Sequence, residues 1–384
     1  MQMHEYVYLD NAATTKVDPE VVSAMMEHML VYYANPSSSH FLGRSERQIL
    51  ENARQKLANY INCHSNELVF TSGGTEADNI AILGVAKMQS EKKNHIISSE
   101  IEHKAVLSSL GELERQGYSV TYVKANRDGI VDPEEIERLV RPETFLVSIM
   151  YTNNELGTIQ PIGQIAHRVR KYGILMHSDA VQALGKIQFN VKDLGVDMLT
   201  VSSHKIHGPK GAGALYIREG TAISSMSFGG NQERGLRSGT ENIPAIIGFV
   251  KAVEMLQADF WAQNEKIKNL REYLEQSILS QIKGTAVNGC KKNRISSISN
   301  VNFNNIDSDY LLKRLSSEHI CISSGSACQS SSMEPSHVLT SMGYSNDSAN
   351  NSVRFSLSRD NTKREIDYVL DVLVRIDRDV NGEM

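Results

Sequence analysis

Between about residues 65 and 220, apolar runs alternate with helix-length stretches, and this alternation constrains the fold more than any other feature. The runs are ELVFT, HIISS, SVTYVKA, TFLVSIMY, GILMHSDA, DMLTVSS and GALYIR, several rich in β-branched residues. EADNIAILGVAKMQ and IGQIAHRVRKYG typify the segments between them. Apolar strands joined by helices predict βαβ crossovers and therefore an α/β fold, with a mainly parallel sheet buried between two helical layers. In such sheets ligand-binding groups collect beyond the carboxyl ends of the strands. The chemistry is therefore expected just after the runs.

Beyond them the pattern changes. A long helical stretch over 243–281 leads to short strand-like runs, SSISNVNF, HICISS and SVRFSL, with the helical segment DSDYLLKRLSSE among them. This predicts a large domain over 16–258 and a smaller α+β domain from 259–384, with residues 1–15 packing against both. The small, polar run SSGSACQSSS predicts a loop over about 323–334.

A formal net charge of -5 gives no electrostatic reason for direct nucleic-acid binding. The opening MQMHEYVYLDNAATTK does not read as a signal peptide, and no window approaches the roughly 20 apolar residues of a membrane span. Four cysteines, Cys63, Cys290, Cys321 and Cys328, are too few for a disulfide scaffold, and none form C-x-x-C. The expectation is a reduced, cytoplasmic enzyme without a stand-alone metal site. Cys321 is expected in the core.

Five run ends carry reactive or polar groups. In VSSHKIHGPKG, Lys205 follows Ser202, Ser203 and His204; a lysine there can form a Schiff base with an aldehyde while its neighbours hold a phosphate. In isolation, a solvated basic loop is the more ordinary reading. Asp179, in HSDAVQ, can pair with a protonated ring nitrogen or simply cap a helix. Gln182 lies one turn on, within reach of a ring oxygen. TSGGTEADN places Gly74 and Thr75 at a helix start, where backbone N–H groups can seat a phosphate, or where Thr75 and Asp78 can form a capping box. His103 can stack on a flat ring or be structural, and Asn154 can bond the ring oxygen, the substrate or only its own turn. Five such groups at successive strand ends weigh far more than any one alone. No G-x-G-x-x-G turn follows an early strand, as a nicotinamide-binding sheet would require.

From end to end the chain resembles the cysteine desulfurases of the NifS/IscS type, within the fold-type I (aspartate aminotransferase-like) pyridoxal-phosphate enzymes. The motifs are YLDNAATT, NPSSSH, FTSGGTEADN, EIEHKAV, NNELGT, HSDAVQ, SSHKIHGPKG, RSGTENI, SSGSAC, EPSHVL and VRFSL. The resemblance implies pyridoxal 5'-phosphate held by Lys205, with Asp179 on the pyridinium, Gln182 and Asn154 at the phenolic oxygen and His103 on the ring. It puts Gly74, Thr75, Ser202 and His204 at the phosphate, with Ser203 along the same stretch. Thr240 would reach the neighbouring subunit's phosphate, which implies a homodimer. Arg354 would clamp the carboxylate of L-cysteine, and Asn35, Ala12 and Ala13 would line the entrance.

Cys328 would take the substrate's sulfur as a persulfide, leave alanine, and pass the sulfur to an acceptor. Candidate acceptors are an iron–sulfur scaffold, a tRNA-thiolating enzyme or a sulfur carrier. A transaminase on the same fold would have no use for Cys328. Ser358 departs from the family, which often has glycine there; a local turn difference is expected, without loss of activity.

Overall fold

The computed structural model describes residues 6–89, 92–324 and 334–382. Its strands are β1 Val7–Tyr8, β2 Leu68–Thr71, β3 His95–Ser99, β4 Ser119–Val123, β5 Thr144–Ser148, β6 Leu175–Asp179, β7 Met198–Ser202, β8 Gly213–Ile217, β9 Thr285–Val287, β10 Ile298–Phe303, β11 Ile320–Cys321 and β12 Ser352–Ser356. Strands β2 to β8 are the seven apolar runs and form one sheet in the order β2-β8-β7-β6-β5-β3-β4.

Strands β3 to β7 pair in parallel, whereas β8 is antiparallel to both its neighbours. The reason lies in the connection. Only residues 203–212, which include the turn Ser203–Lys205, separate β7 from β8, too few for the crossover that a parallel return needs. Both faces are buried, and neighbouring residues serve opposite cores. Ile96 and Met198 pack on one side with Ile80 and Leu110, while Ile97 and Leu199 pack on the other with Leu57 and Phe249.

Helix Ile243–Gln281 links this sheet to the rest of the chain, and it breaks at Asp259, where φ is -138°. Before the break Phe249 and Val253 belong to the large-sheet core; after it Leu274 and Ile278 join a separate core with Val301, Phe355 and Val369. That second core backs the three-stranded antiparallel sheet β12-β10-β9 and the amphipathic helix Lys363–Asn381. The amino-terminal segment joins both regions. Val7 and Tyr8 pair with β11, the Asn11 amide donates to Ser356, and the Thr15 amide donates to the His204 carbonyl.

One expectation is overturned. Cys321 is exposed, because strand alternation turns Ile320 inward and Cys321 out. Cys63 and Cys290 are buried. Among the described residues no helix is long and apolar enough to cross a membrane.

Candidate functional site

A cavity of about 360 Å³ opens at the carboxyl ends of the parallel strands. Asp179 ends β6, Ser202 ends β7, and Lys205 closes the short turn that follows. The Lys205 Nζ donates to the carbonyls of Ala12 and Ala13 at 2.7 and 2.6 Å, so the amino-terminal segment forms the wall opposite the sheet. His103 and Asn154 complete the ring of groups around the cavity.

Several local alternatives resolve. The Asp179 carboxylate accepts the Val181 amide at 2.9 Å, so it caps a turn and also faces the cavity. His103 does the same at helix Lys104–Arg115: its Nδ1 accepts from the Ala105 amide at 3.1 Å, which leaves Nε2 to carry the proton in the neutral ring. In NNELGT the turn work falls to Asn153, whose side chain accepts the amides of Glu155 and Leu156. Asn154 is thereby left to line the cavity.

The capping-box alternative for Thr75 and Asp78 does not occur. Helix Gly74–Ala86 is capped by Gly73, at φ 154° and without a side-chain bond, so among the described residues no N-cap side chain covers the first-turn N–H groups. Gly74 must lack a side chain, since a Cβ there would sit 2.7 Å from Val181 Cγ2. Asp78 instead turns inward, 1% exposed, and groups with His103 and Asp179, their ligand atoms within 4.8 Å of one another.

Burial dominates the electrostatics. It raises Asp78 and Asp179 above the usual carboxylate range, and the nearby His103 and Lys205 pull Asp179 part of the way back. Burial lowers His103, and takes His204 down to about 4 with help from Lys205. Below them Glu102 is pushed up to about 8, by burial first and then by Asp179.

Arg354 enters from β12, in the other sheet. It is 2% exposed, with Nη1 on the Asn154 carbonyl at 3.0 Å and Nη2 on Asp10 at 2.7 Å. Its Nε is buried without a partner among the described residues, as is the Ser202 hydroxyl. The flanks of the 325–333 segment are tied to the same rim: Ser323 exchanges backbone hydrogen bonds with Arg354, and Ser336 donates to Glu155. Cys328 lies outside the described residues.

Not every expected residue converges. Ser203 is buried under Gly208, where a Cβ would collide with its hydroxyl, and it does not line the cavity. Asn35 and Thr240 are exposed and stand away from this chain's own cavity. Ser358 sits in a turn behind the site, its amide donating to Asn361 and its hydroxyl accepting from Asp360. Sequence reasoning gave no role to Glu155, His337 or Lys186, and it read Asp78 only as a cap. EPSHVL was the available signal for His337, whose Nε2 donates to the Glu102 carbonyl at 3.1 Å.

The donor set suits a flat, phosphorylated aldehyde. An amine stands beside the cavity, and two buried carboxyl groups would be relieved by a protonated ring nitrogen. The Ser202 hydroxyl, without a partner among the described residues, lies next to a helix start whose glycine cap has no side chain, the setting that phosphate oxygens favour.

Comparison with known proteins agrees. The family model described as Aminotransferase class-V matches residues 7–369. The chain is 44% identical to a cysteine desulfurase IscS of Dictyoglomus turgidum over 97% of this chain and 95% of that protein. Among solved structures it is similar to a NifS-like protein, with TM-score 0.92, 38% identity and coverage of 97% of this chain and 99% of that one. It is also similar to SspA in complex with cysteine, with TM-score 0.83, 37% identity and coverage of 93% and 100%.

Proposed function

Because this chain belongs to the class-V aminotransferase family and, within it, to the cysteine desulfurases, we propose that its strand-end cavity binds pyridoxal 5'-phosphate and L-cysteine. The observation that carries the reading is the placement of Lys205, Asp179, His103 and Arg354 around one cavity although they come from four separate segments. Lys205 would hold the cofactor's aldehyde carbon. Gly74, Thr75, Ser202 and His204 would take its phosphate, Asp179 its ring nitrogen, and Gln182 and Asn154 its ring oxygen. When bound, the cofactor supplies an electron sink for charge developing at the substrate's Cα.

The rest is work for the chain's own groups. Arg354 binds the substrate carboxylate, exchanging the Asn154 carbonyl or Asp10 for it. Once the substrate's own amine has taken its place at the aldehyde carbon, the freed Lys205 amine would remove the Cα proton. His103, neutral because burial lowers it, carries a proton on Nε2 with which to return one to the product. Ala12 and Ala13 hold the Lys205 side of the entrance. Cys328 receives the substrate's sulfur as a persulfide, leaving L-alanine, and hands it to an acceptor protein such as an iron–sulfur scaffold, a tRNA-thiolating enzyme or a sulfur carrier. In support, the chain enters and leaves 325–333 beside Arg354 and Glu155, at the rim of the cavity.

The working unit is a homodimer on this reading. Thr240 is exposed, and Met29, Leu30, Tyr33 and Phe41 expose apolar surface that a second copy would cover. We also read 16–258 as one domain, and 259–384 with 1–15 as the other.

The test measures alanine from L-cysteine, with cofactor and a reductant, for the native chain and Cys328→Ala. Alanine from the first and almost none from the second supports the desulfurase reading with its nucleophile. Equal rates remove Cys328 from the reaction.

A further inference from the structure

Lys186 is a costly residue where it stands. It follows Gly185, which at φ 74° lets the turn press so close to the long helix that a Cβ would lie 2.6 Å from Leu256 Cδ1. The Lys186 side chain is half-buried and its ammonium is turned onto Gln182, which lines the cofactor cavity. Burial, with Lys205 and Arg354 nearby, pushes it down to about 7. An apolar side chain would avoid that desolvation, so a compensating role is expected.

The hydrogen bonds indicate the role. Lys186 lies four residues after Gln182 on the same face of the turn, and its Nζ donates to Gln182 Oε1 at 2.5 Å. Gln182 Nε2 then donates to the Ala12 carbonyl at 2.8 Å, the same oxygen that accepts from Lys205. A lysine can offer only donors when charged, and a carbonyl can only accept, so the two contacts set the polarity of the amide from both ends. The oxygen faces Lys186, and the second Nε2 hydrogen is left for the cavity.

We propose that Lys186 is a positioning residue that holds the Gln182 amide with its N–H side toward the cofactor's ring oxygen. This rests on the reading that the cavity binds pyridoxal 5'-phosphate. Lys186 does not touch the reacting atoms; it acts through Gln182. Without it, the buried Oε1 loses its donor, and the amide is free to rotate away from the orientation the ring oxygen needs.

The experiment titrates cofactor-free protein with pyridoxal 5'-phosphate and records the visible band against pH. It compares the native chain with Lys186→Met, Gln182→Leu and the double variant. Lys186→Met should weaken cofactor binding about tenfold, the usual cost of leaving one buried polar atom unpaired, and should move the pH midpoint of the visible band. In the Gln182→Leu background the same change should alter affinity by less than about twofold and leave the midpoint in place.

A Lys186→Met protein that binds like the native one overturns the proposal. So does an equal loss in both backgrounds, since Lys186 would then act by its charge and not through Gln182. Should Lys186→Met fail to fold, Lys186→Gln is judged by the same non-additivity. A native chain that takes up no cofactor at all would instead bring down the cofactor reading, and this inference with it.

Discussion

The two walls of the cavity are built in different ways. On one wall, Asp179, Ser202 and Lys205 sit at or just past the ends of β6 and β7. Their positions follow from the parallel topology, which brings successive strand ends to one edge. On the other wall, Arg354 reaches in from the middle of an antiparallel strand, held by Asp10 and the Asn154 carbonyl. The first wall is backed by a sheet buried on both faces, whereas the second is a docked layer with its own core. Lys205 and Asp179, assigned to the chemistry at the substrate's Cα, lie on the sheet wall, and Arg354, assigned to substrate capture, lies on the docked one.

Substitutions on each wall should therefore fail differently. The largest effect is expected for Lys205→Ala, which should reduce alanine formation on the order of 10³-fold or more and abolish the visible band that borohydride removes. A retained band in that variant would break the assignment of the sheet wall. Asp179→Asn should lower kcat about a hundredfold with little change in KM for L-cysteine, as steady-state kinetics would show.

Arg354→Lys is expected to do the reverse. Losing the two-pronged contact should raise KM for L-cysteine at least about tenfold while kcat stays within a few-fold. If kcat fell and KM did not, the two walls would not divide the work as described.

A smaller effect concerns stability beneath the sheet wall. Glu102 titrates near 8 in the fold, against 4.5 for the free side chain. The folded state therefore holds a proton that the unfolded chain gives up. The stability this contributes is fully present below pH 4.5 and is lost as pH rises toward 8. Glu102→Gln should flatten that part of the Tm profile, measured by thermal unfolding from pH 5 to 8.5. An unchanged slope would mean that Glu102 is ionised in the fold. The smallest effect is expected for Ser358→Gly, which removes the weak 3.3 Å bond from the Asp360 amide. It should cost no more than about 1 kcal/mol and leave kcat/KM alone, because Ser358 stands behind the cavity.

The sheet wall was legible in the sequence because strand periodicity and strand-end chemistry are both local. HIISS, DMLTVSS and GALYIR coincide with strands, and Asp179, His103 and Lys205 fall where those readings place them. The misreadings arose where a residue's neighbours in space are far away in sequence. Asp78 looked like part of a cap until helix Gly74–Ala86 proved to be capped by Gly73. Cys321 looked like core from its apolar company, yet only the pairing of β11 with β1 decides which face of that strand is inside. Lys186 was passed over although its partner Gln182 is only four residues away, because nothing local shows that this turn lies beside the site.

By itself the sequence determined the α/β class, the order of the strands along the chain and the chemical types at their ends. It could do so because hydrophobic periodicity and the short turn from β7 to β8 act within a few residues. Tertiary structure alone decided that Ala12 and Ala13 face Lys205 and that Arg354 shares the cavity. Those contacts join segments up to two hundred residues and more apart, and only the docking of two separately packed cores brings them within hydrogen-bond reach.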